Sequence, residues 1–333
     1  MRFGPVPLAQ ALGAILAHSE PLPGGRLRKG GVLGAADIAR LAAAGRGSVT
    51  VAQPDPGDVP EDAAAARLAA ALLLPDPGAS CLVPSAAFTG RVNLNAACAG
   101  VAEIDVGAVH AINRIDPAIT LATLPPWTRV AAGQLAATVK IIAYAVPGAA
   151  LDLACVLAVQ AVRVRPVMRA SAGLVLTEVP GQDGKLAAKG RRAVEMRLRR
   201  LGMRLEAVQV VAHHEADIAA ALAATPGEML LILTGSATSD LHDTAPEGLR
   251  AAGGRVMRFG MPVDPGNLLF LGDLAGCPVI GLPGCARSPA LNGADWVLER
   301  LACGIDLSDG DIAAMGVGGL LKEIPTRPQA REP

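Results

Sequence analysis

The second half of this 333-residue chain alternates short apolar runs with amphipathic segments, and this alternation restricts the fold more than any other feature. Strands are expected at residues 172–177, 205–211 and 229–234, with helices at 185–201 and 215–224 between them. The strands are too apolar to keep one face in water, which is typical of a mostly parallel sheet covered by helices on both faces. We therefore predict an α/β fold with a three-layer αβα domain.

The same pattern continues towards the C-terminus. Further strands are expected at residues 255–261, 268–271 and 278–282, and a final helix at 288–301. In open α/β sheets, ligands bind beyond the carboxyl ends of the strands, where the strand order reverses. Three loops, at 234–247, 263–267 and 282–288, are therefore the candidate binding loops.

The composition excludes several classes of function. Apolar residues make up 51% of the chain and charged residues 18%, which supplies buried cores and argues against disorder. Thirty basic and 30 acidic side chains give no net charge, so no global field attracts a polyanion or an anionic membrane. Only 2% of the residues are aromatic, which disfavours base stacking on single-stranded nucleic acid. An anionic ligand must therefore be held by local groups.

The first half has a less regular pattern and predicts an N-terminal α+β region. Apolar residues at helical spacing predict a helix within residues 6–19, and further helices are expected near 37–41 and at 61–74. Strands are expected at residues 48–52, 92–94, 119–121 and 138–142. The periodicity between residues 81 and 162 assigns no fold to that region.

Changes in composition divide the chain into four parts. Residues 53–60 are rich in Pro and Asp and form a candidate linker, and the pattern changes again after Pro166. We expect an N-terminal segment at 1–56, a middle region of unassigned fold at 57–168, the α/β domain at 169–305 and an extended tail at 306–333.

The sequence favours a cytoplasmic location with reduced thiols. The most apolar stretch, residues 141–162, is interrupted by Pro147, Gly148 and Asp152, so it does not predict a membrane span. The N-terminal stretch lacks the apolar core of a secretory signal. The six cysteines show no Cys-x-x-Cys spacing, so core thiols are favoured over a disulfide framework or a zinc site.

The loop at 234–247 leaves an expected strand and enters a helix near Pro246. Small residues let a ligand approach the backbone, and hydroxyls and free amides bind phosphate. The candidate phosphate-binding residues here are Thr234, Gly235, Ser236 and Thr238.

Two carboxylates of the same loop are candidates for chemistry. Asp240 and Asp243 are three residues apart and are suited to holding a divalent cation or to orienting a nucleophile. Capping of the next helix by Asp243 is the structural alternative. His242 is either a titrating group or an exposed loop residue, and exposure is favoured.

The loop at 282–288 again joins a strand to a helix. Pro283 and Gly284 open the backbone to a ligand, Arg287 is suited to a two-pronged contact with phosphate, and Ser288 stands at the expected helix N-terminus. Cys285 has no companion base next to it in sequence, which disfavours thiol catalysis. The third loop contains Pro265 and Gly266, which alone indicate only a turn.

A basic helix follows the first expected strand of the α/β domain. Its cationic residues are Lys185, Lys189, Arg191, Arg192, Arg197, Arg199 and Arg200. Because the chain is neutral and has few aromatic residues, a solvated helix face is favoured over a nucleic-acid site. Lys185 and Lys189 are nearest the strand end and are the pair suited to reach a phosphate.

Together the three loops resemble the molybdopterin-binding domain shared by molybdopterin adenylyltransferases and molybdopterin molybdotransferases. The adenylyltransferase loop reads Thr-Gly-Gly-Thr-Gly, four variable positions, then Asp-x-Thr-Pro-Asp/Glu, and it is matched at Thr234, Gly235, Asp243, Pro246 and Glu247. The second loop, Leu-Pro-Gly-x-Pro-x-Ser, is matched at Leu282, Pro283, Gly284 and Ser288. Pro265 and Gly266 resemble the Pro-Gly turn of the molybdotransferases. The resemblance covers residues 170–304.

The chain also departs from these families. Residues 6–13 and 27–33, with 38–45 and 49–51, resemble segments that flank the linker domain of the molybdotransferases, but more than a hundred residues then precede the cofactor domain. In the first loop, Ser236, Ala237 and Thr238 stand where the adenylyltransferases have Gly, Thr and Gly. In the second loop, Ala286 replaces the second proline and Cys285 stands where Asn or Gln is usual.

The resemblance implies the molybdopterin-binding fold and a role in molybdenum-cofactor biosynthesis. The implied activity is binding of molybdopterin or its adenylate, with adenylyl or molybdate transfer that uses Mg²⁺ and ATP. Asp240 and Asp243 would be the catalytic and metal-binding residues. The implied cofactor-binding residues are Thr234, Gly235, Ser236, Thr238, Glu247, Pro265, Gly266, Pro283, Gly284, Arg287 and Ser288.

Two other functions stay open. The lost glycines favour a non-catalytic carrier, chaperone or sensor that presents the cofactor to a molybdoenzyme partner. A different anionic small molecule on the same scaffold is the third alternative. Both related families are oligomeric, which implies a homo-oligomer, either a dimer or a trimer, with neither a nucleic-acid nor a membrane partner.

Overall fold

The computed structural model describes residues 1–181 and 184–321. It divides into two compact units, the first formed by residues 1–98 with 102–165 and the second by residues 99–101 with the chain from Pro166 onward. Residues 322–333 of the expected tail lie outside the described residues.

The N-terminal part of the first unit is a small sheet with its own core. Its elements are β1 (Arg2–Pro7), a 3-10 turn (Leu8–Gln10), β2 (Ile15–Leu16), β3 (Glu20–Leu22), β4 (Gly25–Leu27), α1 (Ala35–Ala43) and β5 (Ser48–Gln53). The central strand β5 pairs antiparallel with both β1 and β2. Leu16, Leu41 and Val51 are buried in this core.

The helix expected within residues 6–19 is wrong. Strand β1 is paired with β5 along its whole length, and the apolar spacing does not mark a buried face, since Leu12 is 64% exposed. Pro5 and Pro7, which disfavour a helix interior, are accommodated in the strand. Pairing with a distant strand therefore overrides the local helical period.

The rest of the first unit packs helices against antiparallel strands. The elements are β6 (Asp58–Pro60), α2 (Glu61–Leu72), α3 (Pro77–Ser80), β7 (Leu82–Pro84), β8 (Arg91–Ala96), β9 (Gly100–Ile104), α4 (Val106–Ile115), β10 (Ile119–Thr123), β11 (Arg129–Val130), β12 (Leu135–Ile141), β13 (Ala145–Pro147), α5 (Gly148–Ala158) and β14 (Val162–Pro166). The largest sheet here has the order β10-β12-β8-β7. Leu68 of α2, Ile112 of α4 and Leu151 of α5 are buried in one core with it.

Strand register explains a correction to the expected cysteine chemistry. Cys81 and Cys98 form a disulfide, whereas only reduced thiols were expected. In the β7–β8 hairpin, Leu82 pairs with Ala96, so the two cysteines flank the same end of that ladder. Cys155, Cys277, Cys285 and Cys303 are not part of a disulfide.

The second unit contains the α/β pattern read from the sequence. Its elements are β15 (Ser171–Glu178), α6 (Lys185–Arg200), β16 (Arg204–Ala212), α7 (Glu215–Ala224), β17 (Leu230–Leu233), α8 (Thr244–Ala251), β18 (Arg255–Phe259), β19 (Phe270–Leu274), β20 (Cys277–Leu282), a 3-10 turn (Gly284–Arg287), α9 (Gly293–Ala302) and α10 (Asp309–Ala314). The sheet order is β16-β15-β17-β20-β19-β18. Strands β16, β15, β17 and β20 are parallel, whereas β19 is antiparallel to both of its neighbours.

Alternate residues of β15 face different cores. Leu174 and Leu176 lie in one core with residues of α6 and α9, while Val175 lies in another core with residues of α7 and α8. A strand that buries both faces cannot show polar alternation, which accounts for the continuous apolar runs in the sequence. The mixed α/β class is confirmed, and the complete three-layer molybdopterin-binding fold stays a prediction.

Two boundaries near the C-terminus differ from the expectation. Helix α9 begins at Gly293 and is capped by Asn292, so the helix start expected at Ser288 is wrong. Within the tail expected to be extended, Ser308 caps helix α10, and Ile312 and Met315 are buried in the core of the second unit. The apolar side chains of residues 307–321 supply the energy that orders this part of the chain.

Within residues 1–181 and 184–321, no helix has both the length and the apolar character that crossing a bilayer requires.

Candidate functional site

Strand register brings the three predicted loops to one edge of the second sheet. Leu233 at the end of β17 pairs with Leu282 at the end of β20, so the first two loops leave the sheet side by side. Phe270, the first residue of β19, pairs with Gly281, so the connection at 260–269 reaches the same edge. We call this edge, where β15, β16, β17 and β20 end, the carboxyl edge.

The third loop packs against the start of α9. The carbonyl oxygen of Pro265 accepts a hydrogen bond from the amide of Gly293 at 2.8 Å. Gly266 has φ +146°, and a Cβ on it would lie 2.9 Å from Gly293 backbone atoms. Both the backbone conformation and the close approach require glycine here. The Pro-Gly pair therefore allows the third loop to pack against the start of α9.

The first loop offers backbone donors. Thr234 is 4% exposed and its hydroxyl donates to the carbonyl of Ser236. The amide of Gly235 donates to the Thr177 hydroxyl at 2.9 Å. Among the described residues, none accepts a hydrogen bond from the amides of Ser236, Ala237 or Thr238. We call these three the open amides.

Both predicted catalytic carboxylates are held by backbone amides. Asp243 accepts from the amide of Thr244 at 2.7 Å through Oδ1 and from the amide of Ser239 at 2.8 Å through Oδ2. Oδ1 of Asp240 accepts from the amide of His242 at 2.8 Å. Asp243 is the N-cap of α8, and the structure thus supports the capping interpretation of this residue.

Glu247 belongs to an ion-pair network at the start of α8. Its Oε1 lies 2.8 Å from Nδ1 of His242 and 2.6 Å from Nη1 of Arg250. The hydrogen bond from His242 and the charge of Arg250 lower the pKa of Glu247. The ring of exposed His242 is thereby tied to the helix, and Glu247 stabilises the loop in this conformation.

The first loop does not form a preassembled metal site. In the part of the chain that the structure describes, no group of three or more His, Cys, Asp or Glu side chains could hold a metal ion. Asp240 and Asp243 are the acidic pair predicted for it, and three of their four carboxylate oxygens already accept backbone hydrogen bonds. Because Mg²⁺ is commonly held by only one or two carboxylates together with waters and substrate phosphates, a metal role for this pair stays a prediction.

Arg287 connects the second loop to the first. Its Nη2 donates to the carbonyl of Thr234, and its Nη1 lies 3.5 Å from the carbonyl of Gly284. Its Nε is buried and has no partner among the described residues. Burial lowers the pKa of Arg287. An incompletely bonded guanidinium beside open amides is an arrangement that favours an anion.

The remaining residues of the second loop shape its backbone. The amide of Ala286 donates to the carbonyl of Pro283, which starts the 3-10 turn, and Gly284 is exposed. Ser288 does not cap α9; its hydroxyl accepts from the amide of Ala290 at 3.3 Å. Exposed Cys285 accepts a hydrogen bond through Sγ from Asn292 at 3.0 Å.

Sequence reasoning missed two residues on neighbouring strand ends. Thr177 is the second-last residue of β15 and His213 directly follows β16. Nδ1 of His213 lies 2.9 Å from Oγ1 of Thr177. Burial lowers the pKa of His213, and the nearby charge of Asp243 opposes that shift. The rule that ligands bind at strand ends could have indicated both positions, because Thr177 ends one expected parallel strand and His213 lies two residues after another.

One residue of the basic helix is not solvated. Arg197 is 4% exposed and forms an ion pair with Asp295, so the expectation of a solvated face is wrong for it. The other cationic residues of α6 are exposed, namely Lys185, Lys189, Arg191, Arg192, Arg199 and Arg200.

Comparisons with known proteins give limited matches. A family model described as "Domain of unknown function (DUF8806)" matches residues 5–53. No curated protein matches the chain.

Two solved structures have a weak likeness to this chain. One is a molybdopterin biosynthesis MoeA protein from Pyrococcus horikosii, at 13% identity over 91% of this chain and 75% of that chain, with a TM-score of 0.32. The other is a molybdenum cofactor biosynthesis protein from Pyrococcus furiosus, at 12% identity over 94% of this chain and 65% of that chain, with a TM-score of 0.24. The chain thus spans just under two thirds of the second protein. At these TM-scores, neither a shared fold nor a shared function follows.

Proposed function

We propose that the carboxyl edge of the second unit binds the phosphate group of molybdopterin, or of its adenylate, in molybdenum-cofactor biosynthesis. The observation that carries this proposal is the position of Arg287: it donates to the carbonyl of Thr234, two residues before the open amides at 236–238, and its buried Nε has no partner among the described residues. The choice of a pterin as the ligand rests on the resemblance of the three loops to molybdopterin-binding motifs.

The electrostatics suit a local anion site. The whole chain carries no net charge, so attraction must come from the groups at the edge. Arg287 supplies a full positive charge for an anion. The N–H groups of the open amides supply partial positive charges, and no further charged side chain has to be buried. Hydrogen bonds to a charged group contribute about 1.5–3 kcal/mol each, so a few such contacts are enough for specific binding.

Replacement of Arg287 tests the proposal directly. We expect Arg287→Ala to weaken molybdopterin binding by about tenfold or more, since one charge-assisted contact is lost. Pterin fluorescence in an anaerobic titration measures the dissociation constant.

Arg255→Ala is the matched control for that titration. Arg255 is exposed and begins β18, opposite Asp273, at the other edge of the same sheet from the three loops. The Arg255→Ala substitution removes the same charge from the protein as Arg287→Ala does, and it leaves the three loops intact. Equal affinity in all three proteins, or no binding by the wild type, would contradict the proposal.

Adenylyl or molybdate transfer at this edge is the finer proposal, and it depends on Asp243. Asn is as good an N-cap as Asp, so Asp243→Asn keeps the bond from the Thr244 amide at the start of α8, and it removes the charge together with the acceptor for the Ser239 amide. We expect this variant to bind molybdopterin and to lose transfer, measured as adenylated product formed from ATP. Wild-type turnover by Asp243→Asn would remove this residue from the mechanism. No metal-dependent step is proposed, because the described residues form no preassembled metal site.

A carrier without catalysis is the second candidate function. It is favoured by one observation: the carboxylates of Asp240 and Asp243 already bond to backbone amides, as structural groups do. It predicts molybdopterin binding with no turnover of ATP or molybdate by the wild-type protein. Turnover with purified protein would exclude it.

A further inference from the structure

Arg197 is a buried cation whose N–H groups all have partners. Its Nε donates to Oδ1 of Asp295 at 2.6 Å. Its Nη1 donates to the carbonyls of Ala193 and Ala286, at 3.2 and 2.8 Å, and its Nη2 to those of Ser288 and Ala290, at 2.9 and 3.2 Å. A guanidinium has five N–H donors, so none is left over. Complete bonding is the condition under which a buried charge is tolerated.

The acceptors have a common location. Three of the five bonds go to carbonyls of residues 286–290, which form the end of the second loop and the two residues after it. Ala286 and Ser288 are the neighbours of Arg287 on either side, so Arg197 holds the backbone both before and after that residue. Regular secondary structure gives little support here, because the loop contains only a short 3-10 turn.

The same cation also fixes the start of α9. While Oδ1 of Asp295 bonds to Arg197, its Oδ2 accepts from the amide of Asn292 at 2.8 Å. The Asn292 side chain caps the helix by accepting from the amide of Ala294 at 3.0 Å. The ion pair therefore joins α6, the second loop and α9.

We propose that Arg197 is a positioning residue for the anion site: it orders the loop so that Arg287 is held at the end of β17 before a ligand arrives. This inference rests on the proposed function. Arg197 does not itself bind the anion, since its side chain is buried and its donors are used. Preorganisation of this kind removes the entropy of ordering the loop from the binding step.

The test uses the full chain and inorganic phosphate as the probe. Lysine keeps the charge of Arg197 but has three donors on one nitrogen, and it cannot reach carbonyls on both sides of Arg287. We expect Arg197→Lys to raise the dissociation constant for phosphate by about tenfold in isothermal titration calorimetry. Leu198→Ala, at the next buried residue of α6, is the control for general loss of stability. It should lower the melting temperature and leave the phosphate affinity unchanged.

A second variant decides the matter if Arg197→Lys does not fold. Asp295→Asn keeps an oxygen acceptor but weakens its bond to Nε, and a roughly fivefold loss of phosphate affinity is expected. Wild-type affinity in whichever of the two variants folds would overturn the positioning role and leave the proposed function standing. Equal losses of affinity in Leu198→Ala would also overturn it. A wild-type protein that binds no phosphate would overturn the proposed function together with this inference.

Discussion

Phe270 lies directly across from Gly281 in the antiparallel pair β19–β20, and its ring covers the glycine. A Cβ on Gly281 would lie 1.9 Å from a ring carbon of Phe270, which is 1% exposed. The pair fixes the register that brings the loop at 260–269 to the second loop.

We expect Gly281→Ala to destabilise the second unit by about 3 kcal/mol, the upper range for overpacking a core. The cause is steric, because Gly281 has no positive φ. Urea unfolding measures the change. In a Phe270→Leu background, which frees space, the same substitution should be milder by roughly 1–2 kcal/mol. Additive effects of the two substitutions would contradict the contact.

The second prediction concerns Gly266, where backbone conformation and space both exclude a side chain. Gly266→Ala should reduce the free energy of unfolding by about 2–3 kcal/mol and weaken phosphate binding, because the displaced loop moves the start of α9. Gly310→Ala in α10 is the control: the φ of Gly310 is not positive, and the added Cβ would lie 3.6 Å from Oγ of Ser308, an ordinary contact distance. It should be neutral or slightly stabilising. A Gly266→Ala protein as stable as this control would contradict the argument.

The third prediction is a pH dependence at His213. Burial lowers its pKa, and the adjacent His214 acts in the same direction while Asp243 opposes both. The unfolded chain therefore takes up a proton near pH 6.5, before the folded chain does. Stability is unaffected above that pH and is lost as the pH falls from about 6.5 towards the lowered folded pKa.

Replacement of the imidazole checks this dependence. His213→Gln should flatten the decline in unfolding free energy below about pH 6.5, as measured by urea unfolding from pH 8 to pH 5. Any difference between the two proteins at pH 8 reports the lost contact with Thr177 alone. Parallel pH curves for wild type and variant would show that His213 is not the group responsible.

The fourth prediction concerns the disulfide. Cys81 and Cys98 are 17 residues apart, and closure of a loop of this size stabilises a domain by about 2–4 kcal/mol. Peptide mapping without reductant should recover the linked pair. Cys98→Ser should lower the stability of the first unit, whereas Cys303→Ser in the second unit should leave the first unit unchanged. Unlinked peptides from oxidised protein would contradict the pairing.

The strands and helices of the second unit were predictable because its strands bury both faces, which produces continuous apolar runs. The sequence also placed four candidate residues directly after strands, where the strand-end rule predicts ligand binding: Thr234, Gly235, Pro283 and Gly284. The predicted helix at the N-terminus failed for the opposite reason. The residues of β1 are placed by pairing with β5, more than 40 residues away in sequence. Local periodicity cannot predict a strand partner at that distance.

For Arg197 and Asp243 as well, local sequence could not predict the contacts that the folded protein makes. A charged residue on an amphipathic helix is normally solvated, and only the meeting of α6, the second loop and α9 supplies the acceptors that bury Arg197. The sequence placed Asp243 in a candidate loop and left capping and chemistry as alternatives; the folded loop places two amides on its carboxylate.

The sequence by itself determined the α/β alternation of the second half, the absence of a net charge and the small-residue loops at the strand ends, since each depends on local residue type and spacing. Tertiary structure alone decided which loops share an edge, which cation is buried and which cysteines pair. Those outcomes depend on strand register and on contacts between residues far apart in the chain, and no local pattern of residues specifies them.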